Sequence, residues 1–298
     1  MNLIPFYLVD VFARERYTGN PLAVVLNAEA LSDGAMQQIA QEMNYSETTF
    51  IGQTSTPDRG YPVRIFTPTT ELPFAGHPTL GTAYVLKHFV LNNPDLSQIS
   101  LNLKIGSIPI TFERQNRDRE IIWMRQNLPQ FTQKFPPDET AALLNLSLDE
   151  IDPRFPIQAV STGVNFAIVP LKTLAAVKKA SLNRDRYPAW QNTTTAQGIL
   201  LFCPETYSDE NDLNVRVFAE ALGITEDPAT GSANGCLAAY LAQYQYWERG
   251  RIEVRVEQGY EIQRPSLLHL KASYERETWQ ILVGGAAIPV ARGELFSE

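Results

Sequence analysis

Cysteine and histidine are scarce in this sequence. Its 298 residues include two cysteines, Cys203 and Cys236, and three histidines. Two cysteines do not make a disulfide framework, so we predict two free thiols of the kind found in a reducing cytosol. The few cysteines and histidines also lack the spacing of metal ligands, which argues against a metal site.

Long apolar segments and basic runs are missing as well. No stretch reaches the ~18 apolar residues of a membrane-spanning helix, and the N-terminal MNLIPFYLVDVFARERY lacks the basic region that opens a signal peptide. The formal net charge is -8, and Lys and Arg form no local run. Nucleic-acid binding needs a basic surface, so it is not expected. We therefore predict a cytoplasmic protein without membrane or nucleic-acid partners.

The glycine motifs of nucleotide-binding loops do not occur either. Neither G-x-G-x-x-G nor G-K-[ST] is present in the chain. These motifs bring backbone N–H groups against a phosphate, and their absence argues against a nucleotide cofactor. No cofactor of any kind is predicted.

Two halves of the chain instead repeat one short pattern. Arg64-Ile65-Phe66 precedes Ala75-Gly76-His77 and a predicted helix, and Arg216-Val217-Phe218 precedes Thr230-Gly231-Ser232 and another. The length suits two domains that each bury a core. We predict two similar domains, each with a mostly apolar helix surrounded by strands. Residues 127–137 are expected to be an irregular link, which divides the chain into 1–127, with the tail at about 290–298 as a candidate addition, and 128–289.

The two repeated elements predict an anion site. Each offers a glycine at the start of a helix, Gly76 or Gly231. Free backbone N–H groups and the positive end of the helix dipole meet at such a start. A glycine there lets a ligand approach the backbone closely. Two such starts that faced each other would form an anion-binding cleft between the domains.

Polar residues near these helix starts have ordinary interpretations beside functional ones. His77 could be a cap or a core histidine, Asp227 could form a turn before proline, and Ser232 could cap its helix. Glu47, in Asn44-Tyr45-Ser46-Glu47-Thr48, could be a solvated loop residue. The Gly-His-Pro context favours function for His77, and the matching elements of the two halves favour it for Asp227 and Ser232. The chemistry of Glu47 alone favours the solvated loop residue. A hydrolase triad of Ser232, His77 and Asp227 is less favoured, because in GSANG the serine stands one place earlier than in the G-x-S-x-G elbow.

Several segments together resemble the PhzF family of phenazine biosynthesis-like proteins, which have the diaminopimelate epimerase fold. The resemblance covers nearly the whole chain. Its most specific segments are ELPFAGHPTLG and EDPATGSA, and the others are Gly19-Asn20-Pro21, Ser46-Glu47-Thr48-Thr49-Phe50, Arg64-Ile65-Phe66-Thr67-Pro68, VEQG at 256–259 and Val283-Gly284-Gly285.

The resemblance implies an α/β (α+β) fold of two pseudo-symmetric domains. Each domain is expected to be a curved, mostly antiparallel sheet wrapped around a central helix, with the active site between the domains. The family also implies a homodimer.

The resemblance implies roles for individual residues too. Glu47 becomes the candidate general acid/base, assisted by His77, Asp227 and Ser232. Substrate binding is assigned to Asn20, Gly76 and Gly231. Independently of the resemblance, the place of Glu71 near the Gly76 loop in the sequence predicts a structural role, in which its carboxylate holds that loop through backbone N–H groups.

One departure from the epimerase relatives limits the chemistry. Those relatives use two cysteines as an acid/base pair, and the matching positions here are Ala75 and Thr230. The implied function is a cofactor-independent isomerase that shifts a proton within a small anionic substrate, with a dihydro-hydroxyanthranilate as the family's type substrate. The alternatives are a catalytically silent small-molecule-binding relative and an epimerase or racemase with a base other than cysteine.

Overall fold

The computed structural model describes residues 2–52, 60–115 and 120–297, and the chain divides into two compact units. Unit 1 consists of Met1–Arg125 with Gly284–Glu298, and unit 2 is Gln126–Val283. The strands are β1 (Asn2–Val11), β2 (Asn20–Val25), β3 (Thr48–Ile51), β4 (Tyr61–Phe66), β5 (Glu71–Leu72), β6 (Gln98–Leu103), β7 (Gly106–Arg114), β8 (Glu120–Arg125), β9 (Gln130–Lys134), β10 (Gln158–Ser161), β11 (Asn165–Pro170), β12 (Gly198–Cys203), β13 (Leu213–Phe218), β14 (Arg251–Gln258), β15 (Ser266–Glu275), β16 (Thr278–Gly285) and β17 (Ala287–Ser297). The α-helices are α1 (Asp33–Met43), α2 (Gly76–Val85), α3 (Pro137–Leu143), α4 (Leu174–Lys179), α5 (Tyr187–Gln191) and α6 (Gly231–Gln243).

Unit 1 is a mixed sheet built from both ends of the chain. β1 pairs antiparallel with β2 and with β17, so the C-terminal strand completes this unit. β2 and β3 are parallel, β3 and β4 are antiparallel, and β4 pairs in parallel with β6. β6, β7 and β8 form an antiparallel meander.

Unit 2 has a similar mixture of pairings. β9, β10 and β11 are antiparallel, and β11 and β12 are parallel. β12 and β13 are antiparallel, β13 and β14 are parallel, and β14 and β15 are antiparallel. The prediction that 127–137 is irregular was wrong, because β9 lies within it. The five residues of β9 are exposed or half-buried, so this strand carries no run of buried apolar residues that would have revealed it.

One mostly buried helix lies in each unit. In α2 every residue except Tyr84 is buried, and in α6 the buried residues extend from Gly231 to Ala242 with Ser232 as an exception. A helix that is apolar on all sides has to be enclosed. α2 packs against β1, β2 and β8, and α6 packs against β10, β11 and β15. Each central helix therefore lies against several strands of its own unit.

Glycine allows α2 to approach the sheet. A Cβ at Gly81 would lie 2.6 Å from Leu22 Cδ2 and 2.8 Å from Val11 Cγ2. Helix α1 is more exposed and is fixed locally instead. Its N-cap Ser32 accepts a hydrogen bond from the Ala35 N–H, and Asn44 ends it in the left-handed conformation.

The described ranges contain no helix with both the length and the hydropathy needed to cross a bilayer.

Candidate active site

The start of α2 leaves backbone donors without a side-chain cap. Its N-cap residue is Ala75, which has no polar side chain, and no cap hydrogen bond forms there. Thr79 turns its hydroxyl back to the Ala75 carbonyl at 2.6 Å. The first N–H groups of a helix have no partner within the helix. Gly76 and His77, the first two residues of α2, therefore present donors at the positive end of its dipole.

His77 is held as a neutral imidazole. The residue is 5% exposed, and burial lowers its pKa to about 3, opposed by a weaker effect of a hydrogen bond to the Pro21 backbone. Proline has no N–H, so the imidazole donates this bond to the Pro21 carbonyl. Nε2 makes no hydrogen bond, so Nδ1 is the donor. The lone pair of the neutral ring is then on Nε2.

Glu47 lies beside that lone pair. Its Oε2 is 3.5 Å from His77 Nε2, and its side chain is 12% exposed. The residue sits in the short link between α1 and β3. The start of β3 is fixed to α2, because Thr82 donates its hydroxyl to Thr49 at 2.8 Å. The link from helix to strand thus places a carboxylate next to a neutral histidine at the start of α2.

Asn20 belongs to the same region of unit 1. It is fully buried at the start of β2 and directly precedes Pro21, whose carbonyl holds His77. The preceding Gly19 has a φ of 69°, and a Cβ there would lie 2.4 Å from the Val11 carbonyl oxygen. Only glycine fits this turn.

Unit 2 contains the other predicted residues, at the start of α6. Asp227 is 6% exposed, and its N–H donates to the Val217 carbonyl at 3.0 Å. Its Oδ2 accepts the hydroxyl of Thr230, the N-cap residue of α6, at 2.5 Å. Gly231 and Ser232 are the first two residues of the helix, and Ser232 is half-buried. The hydroxyl of Ser232 makes no hydrogen bond within the part of the chain that the structure describes.

Asp227 and Ser232 are therefore close along the chain but differ in how they are held. Glu47 and His77 come from separate elements of unit 1 and lie together. Gly76 directly precedes His77, and Asn20 directly precedes Pro21, whose carbonyl accepts a hydrogen bond from His77.

A pair of arginine–glutamate bridges was not predicted from the sequence. Arg64 binds Glu71 through two bonds of 2.8 Å, and Arg216 binds Glu226 through bonds of 2.9 and 2.8 Å. Both arginines also lie over the phenylalanine two residues later, at 5.0 and 4.9 Å from the ring centroid. Each glutamate stands five positions before the first glycine of its helix (71 and 76, 226 and 231). The repeated Arg-x-Phe and this equal spacing were the available signals.

These bridges correct the expected contacts of Glu71. Its partners are the side chains of Arg64 and Lys104, in place of backbone N–H groups. The hydrogen bonds from Arg64 are the main cause that lowers the pKa of Glu71 to about 2. Arg216 also donates to the carbonyls of Val177 and Ala180, and these hydrogen bonds join β13 to the end of α4.

The two cysteines are poorly suited to acid/base chemistry. Burial raises the pKa of Cys203 to about 12 and that of Cys236 to about 11. Neither thiol ionises at neutral pH. Among the residues described, no group of three or more His, Cys, Asp or Glu side chains could hold a metal ion.

The sequence and the fold are both similar to those of known proteins. The family model for PhzC-PhzF, phenazine biosynthesis-like protein, matches residues 9–293. A trans-2,3-dihydro-3-hydroxyanthranilate isomerase of Pseudomonas aeruginosa is 34% identical over 292 residues, covering 98% of this chain and 99% of the relative. The crystal structure of a PhzF-family phenazine biosynthesis protein of Bacillus anthracis matches all of both chains, with a TM-score of 0.90 and 31% identity.

A more distant structure extends the comparison to the fold alone. A probable proline racemase of Agrobacterium radiobacter K84 has a TM-score of 0.64 at 10% identity, and the match covers 99% of this chain and 93% of that one. The predicted diaminopimelate epimerase-like fold is confirmed.

Proposed function

This chain belongs to the PhzC-PhzF family of phenazine biosynthesis-like proteins and is an isomerase, and we propose that it shifts a proton within a small carboxylate-bearing substrate with Glu47 as the general acid/base. The observation that carries the proposal is the 3.5 Å approach of Glu47 Oε2 to the Nε2 lone pair of a neutral, buried histidine. A carboxylate in such a place can take up a proton and release it again.

The proposed step is balanced without another reactant. Glu47 removes a proton from one carbon, the electron pair of that C–H bond moves into the π system, and the carboxyl group returns the proton to a different carbon. The product is an isomer of the substrate. His77 assists by accepting a hydrogen bond from the protonated carboxyl group at Nε2. No cofactor is needed for this step.

Binding is assigned to the starts of the two central helices. Each start can receive an anionic group of the substrate, either its carboxylate or a developing oxyanion: the N–H groups at Gly76 with Asn20 in unit 1, and those at Gly231 in unit 2. Asp227 and Ser232 would assist from unit 2. The absence of cysteine at Ala75 and Thr230, and the raised pKa values of Cys203 and Cys236, weigh against racemisation by two thiols.

Turnover of one probe substrate tests the proposal. The probe is trans-2,3-dihydro-3-hydroxyanthranilate, the compound named for the Pseudomonas aeruginosa relative. Purified protein is mixed with the probe in D2O and followed by NMR. The expected result is the isomer, and deuterium enters the reprotonated carbon in those turnovers in which the Glu47 carboxyl group exchanges its proton with D2O before returning it. A probe that binds saturably and neither isomerises nor exchanges would contradict the proposal and identify a silent binder.

A further inference from the structure

A single buried amide organises the segment before α6. Gln258, the last residue of β14, is fully buried. Its Nε2 donates to the Asp227 carbonyl at 2.8 Å and to Thr230 Oγ1 at 3.0 Å. Its Oε1 accepts from the Thr230 N–H at 3.2 Å and from Asn234 Nδ2 at 2.9 Å. One side chain thus binds the segment at both of its ends.

The orientation of this amide follows from its partners. A backbone carbonyl only accepts and a backbone N–H only donates. The Asp227 carbonyl therefore requires Nε2 on its side, and the Thr230 N–H requires Oε1 on the other. In the reversed amide, Oε1 would face the Asp227 carbonyl oxygen, so that two acceptors meet, and Nε2 would face the Thr230 N–H, so that two donors meet. Gln258 is consequently a donor toward the Thr230 hydroxyl.

The direction of the next hydrogen bond is then determined. Thr230 Oγ1 accepts a hydrogen bond from Gln258, so its own hydroxyl hydrogen is available to donate to Asp227 Oδ2, which lies 2.5 Å away. The hydrogen bonds run one way, from Gln258 to Thr230 to Asp227. A carboxylate oxygen that receives such a bond is stabilised in its ionised form. The positive end of the α6 dipole favours the same form.

We propose that Thr230 and Gln258 are positioning residues of the isomerase site, which hold Asp227 ionised and in one orientation. The inference rests on the proposed function, because it assigns Asp227 the part of a fixed negative charge and hydrogen-bond acceptor in that reaction. Proton donation is left to other groups. Thr230 acts through Asp227, and Gln258 acts through Thr230.

Substitutions at Thr230 separate positioning from folding. Thr230→Val keeps the shape and removes the donor, whereas Thr230→Ser keeps the donor. A hydrogen bond to a charged group contributes roughly 1.5–3 kcal/mol, which corresponds to about 10–100-fold in rate. We expect Thr230→Val to lose about 10–100-fold in kcat with KM changed less than about threefold, and Thr230→Ser to restore kcat to within about threefold.

A matched control tests whether the loss of any buried hydroxyl near α6 is enough to lower kcat. Thr162 is buried in the same unit, and its hydroxyl lies 3.6 Å from Cys236 Sγ on α6. Thr162→Val should leave kcat unchanged. Near-wild-type kcat in Thr230→Val, or failure of a folded Thr230→Ser to restore it, would overturn the proposal. An inactive wild-type protein would instead count against the proposed function.

A second measurement does not depend on turnover. Infrared difference spectra of protein labelled with isotopic aspartate, with Asp227→Asn as the reference, report the protonation of this one side chain. The expected signal at neutral pH is that of an ionised carboxylate, and Thr230→Val should shift it. A protonated carboxyl signal in the wild-type protein would refute the assignment.

Discussion

Burial determines the protonation state of His77. An unperturbed histidine titrates near pH 6.5 and could act as an acid at neutral pH. Here burial lowers the pKa to about 3, and the bond to the Pro21 carbonyl leaves the lone pair on Nε2. This agrees with the proposal that the neighbouring carboxylate of Glu47 exchanges protons with the substrate.

The buried histidine predicts a particular acid sensitivity. The unfolded chain takes up a proton at His77 near pH 6.5, whereas the folded chain does so only near pH 3. Unfolding is therefore favoured as the pH falls between these values, because the unfolded state binds more protons. In His77→Asn the free energy of unfolding should decrease less from about pH 6.5 to about pH 4 than in the wild-type protein. Urea titrations at several pH values measure this, and parallel pH dependences would contradict a neutral His77.

The sequence identified Glu47 and His77 as candidate site residues but not their surroundings. Glu47 and His77 are visible as polar residues next to helix starts, and the family resemblance gives them roles. Their 3.5 Å approach depends on how a link between α1 and β3 meets α2. No local pattern encodes a contact between residues 30 positions apart. The partners of Thr230 and Gln258 were hidden for the same reason.

At the scale of elements, the bridge of Arg64 to Glu71 holds the segment before α2. Glu71→Gln removes one charge of a bidentate pair and should destabilise the protein by about 1–3 kcal/mol while kcat of the folded protein changes less than about threefold. The exposed pair of Arg114 and Asp95, at 3.9 Å, provides the control, and Asp95→Asn should leave stability unchanged within error. A stable but inactive Glu71→Gln protein would show that Glu71 takes part in the reaction.

The pKa values of Glu71 and His77 are both lowered, but for different reasons. Burial disfavours the charged form of His77, whereas the hydrogen bonds from Arg64 favour the charged form of Glu71. The folded pKa of Glu71 is about 2, mainly because of the hydrogen bonds from Arg64. Its contribution is present above the unfolded value near pH 4.3 and is lost as the pH falls toward about 2. The stability difference between wild type and Glu71→Gln should therefore shrink in acid.

The approach of α2 to β1 and β2 depends on Gly81. In Gly81→Ala the new methyl group would meet Leu22 and Val11 at less than 3 Å. We expect a loss of roughly 1–3 kcal/mol from overpacking. Gly34→Ala, on exposed helix α1, is the matched control and should be neutral or stabilising by up to about 1 kcal/mol. Chemical denaturation measures both, and equal effects of the two substitutions would contradict close packing at Gly81.

The predicted elements differ in how well the sequence revealed them. Apolar helices after Gly76 and Gly231 were recognisable, because their residues are apolar on all sides. Strand β9 was missed because it has no apolar alternation. The repeat around Arg64 of β4 and Arg216 of β13 was recognised from the sequence. That these arginines bind Glu71 and Glu226 could be seen only from the folded structure.

At the scale of the whole molecule, the chain closes unit 1 with its C-terminal strand. Gly293 of β17 stands opposite Phe6 of β1, and a Cβ there would lie 2.7 Å from the phenyl ring. Gly293→Val should therefore raise hydrogen exchange of the β1 and β2 amides by about tenfold or more, equivalent to at least about 1.4 kcal/mol, and leave β12 and β13 protected. The exposed neighbour Glu294→Ala is the control. Equal loss of protection in both units would show that they unfold together.

The internal repeat predicted two similar halves, and the structure shows a central helix, an arginine–glutamate bridge and a mixed sheet in each. The homodimer stays a prediction, as do the roles of all the site residues: Asn20, Glu47, His77, Gly76, Asp227, Gly231 and Ser232. These depend on partners and ligands that a sequence pattern does not specify.

The central claim is that Glu47 carries the proton, and one comparison tests it most directly. Single-turnover and steady-state rates with trans-2,3-dihydro-3-hydroxyanthranilate are measured for wild type, Glu47→Gln and His77→Asn, with probe affinity measured separately by calorimetry. Glutamine keeps the size of Glu47 and removes the titrating oxygen, so kcat should decrease at least about 100-fold while affinity stays within about threefold. His77→Asn should lose less. A Glu47→Gln enzyme of nearly normal kcat, beside an inactive His77→Asn enzyme, would contradict the account and make His77 the base.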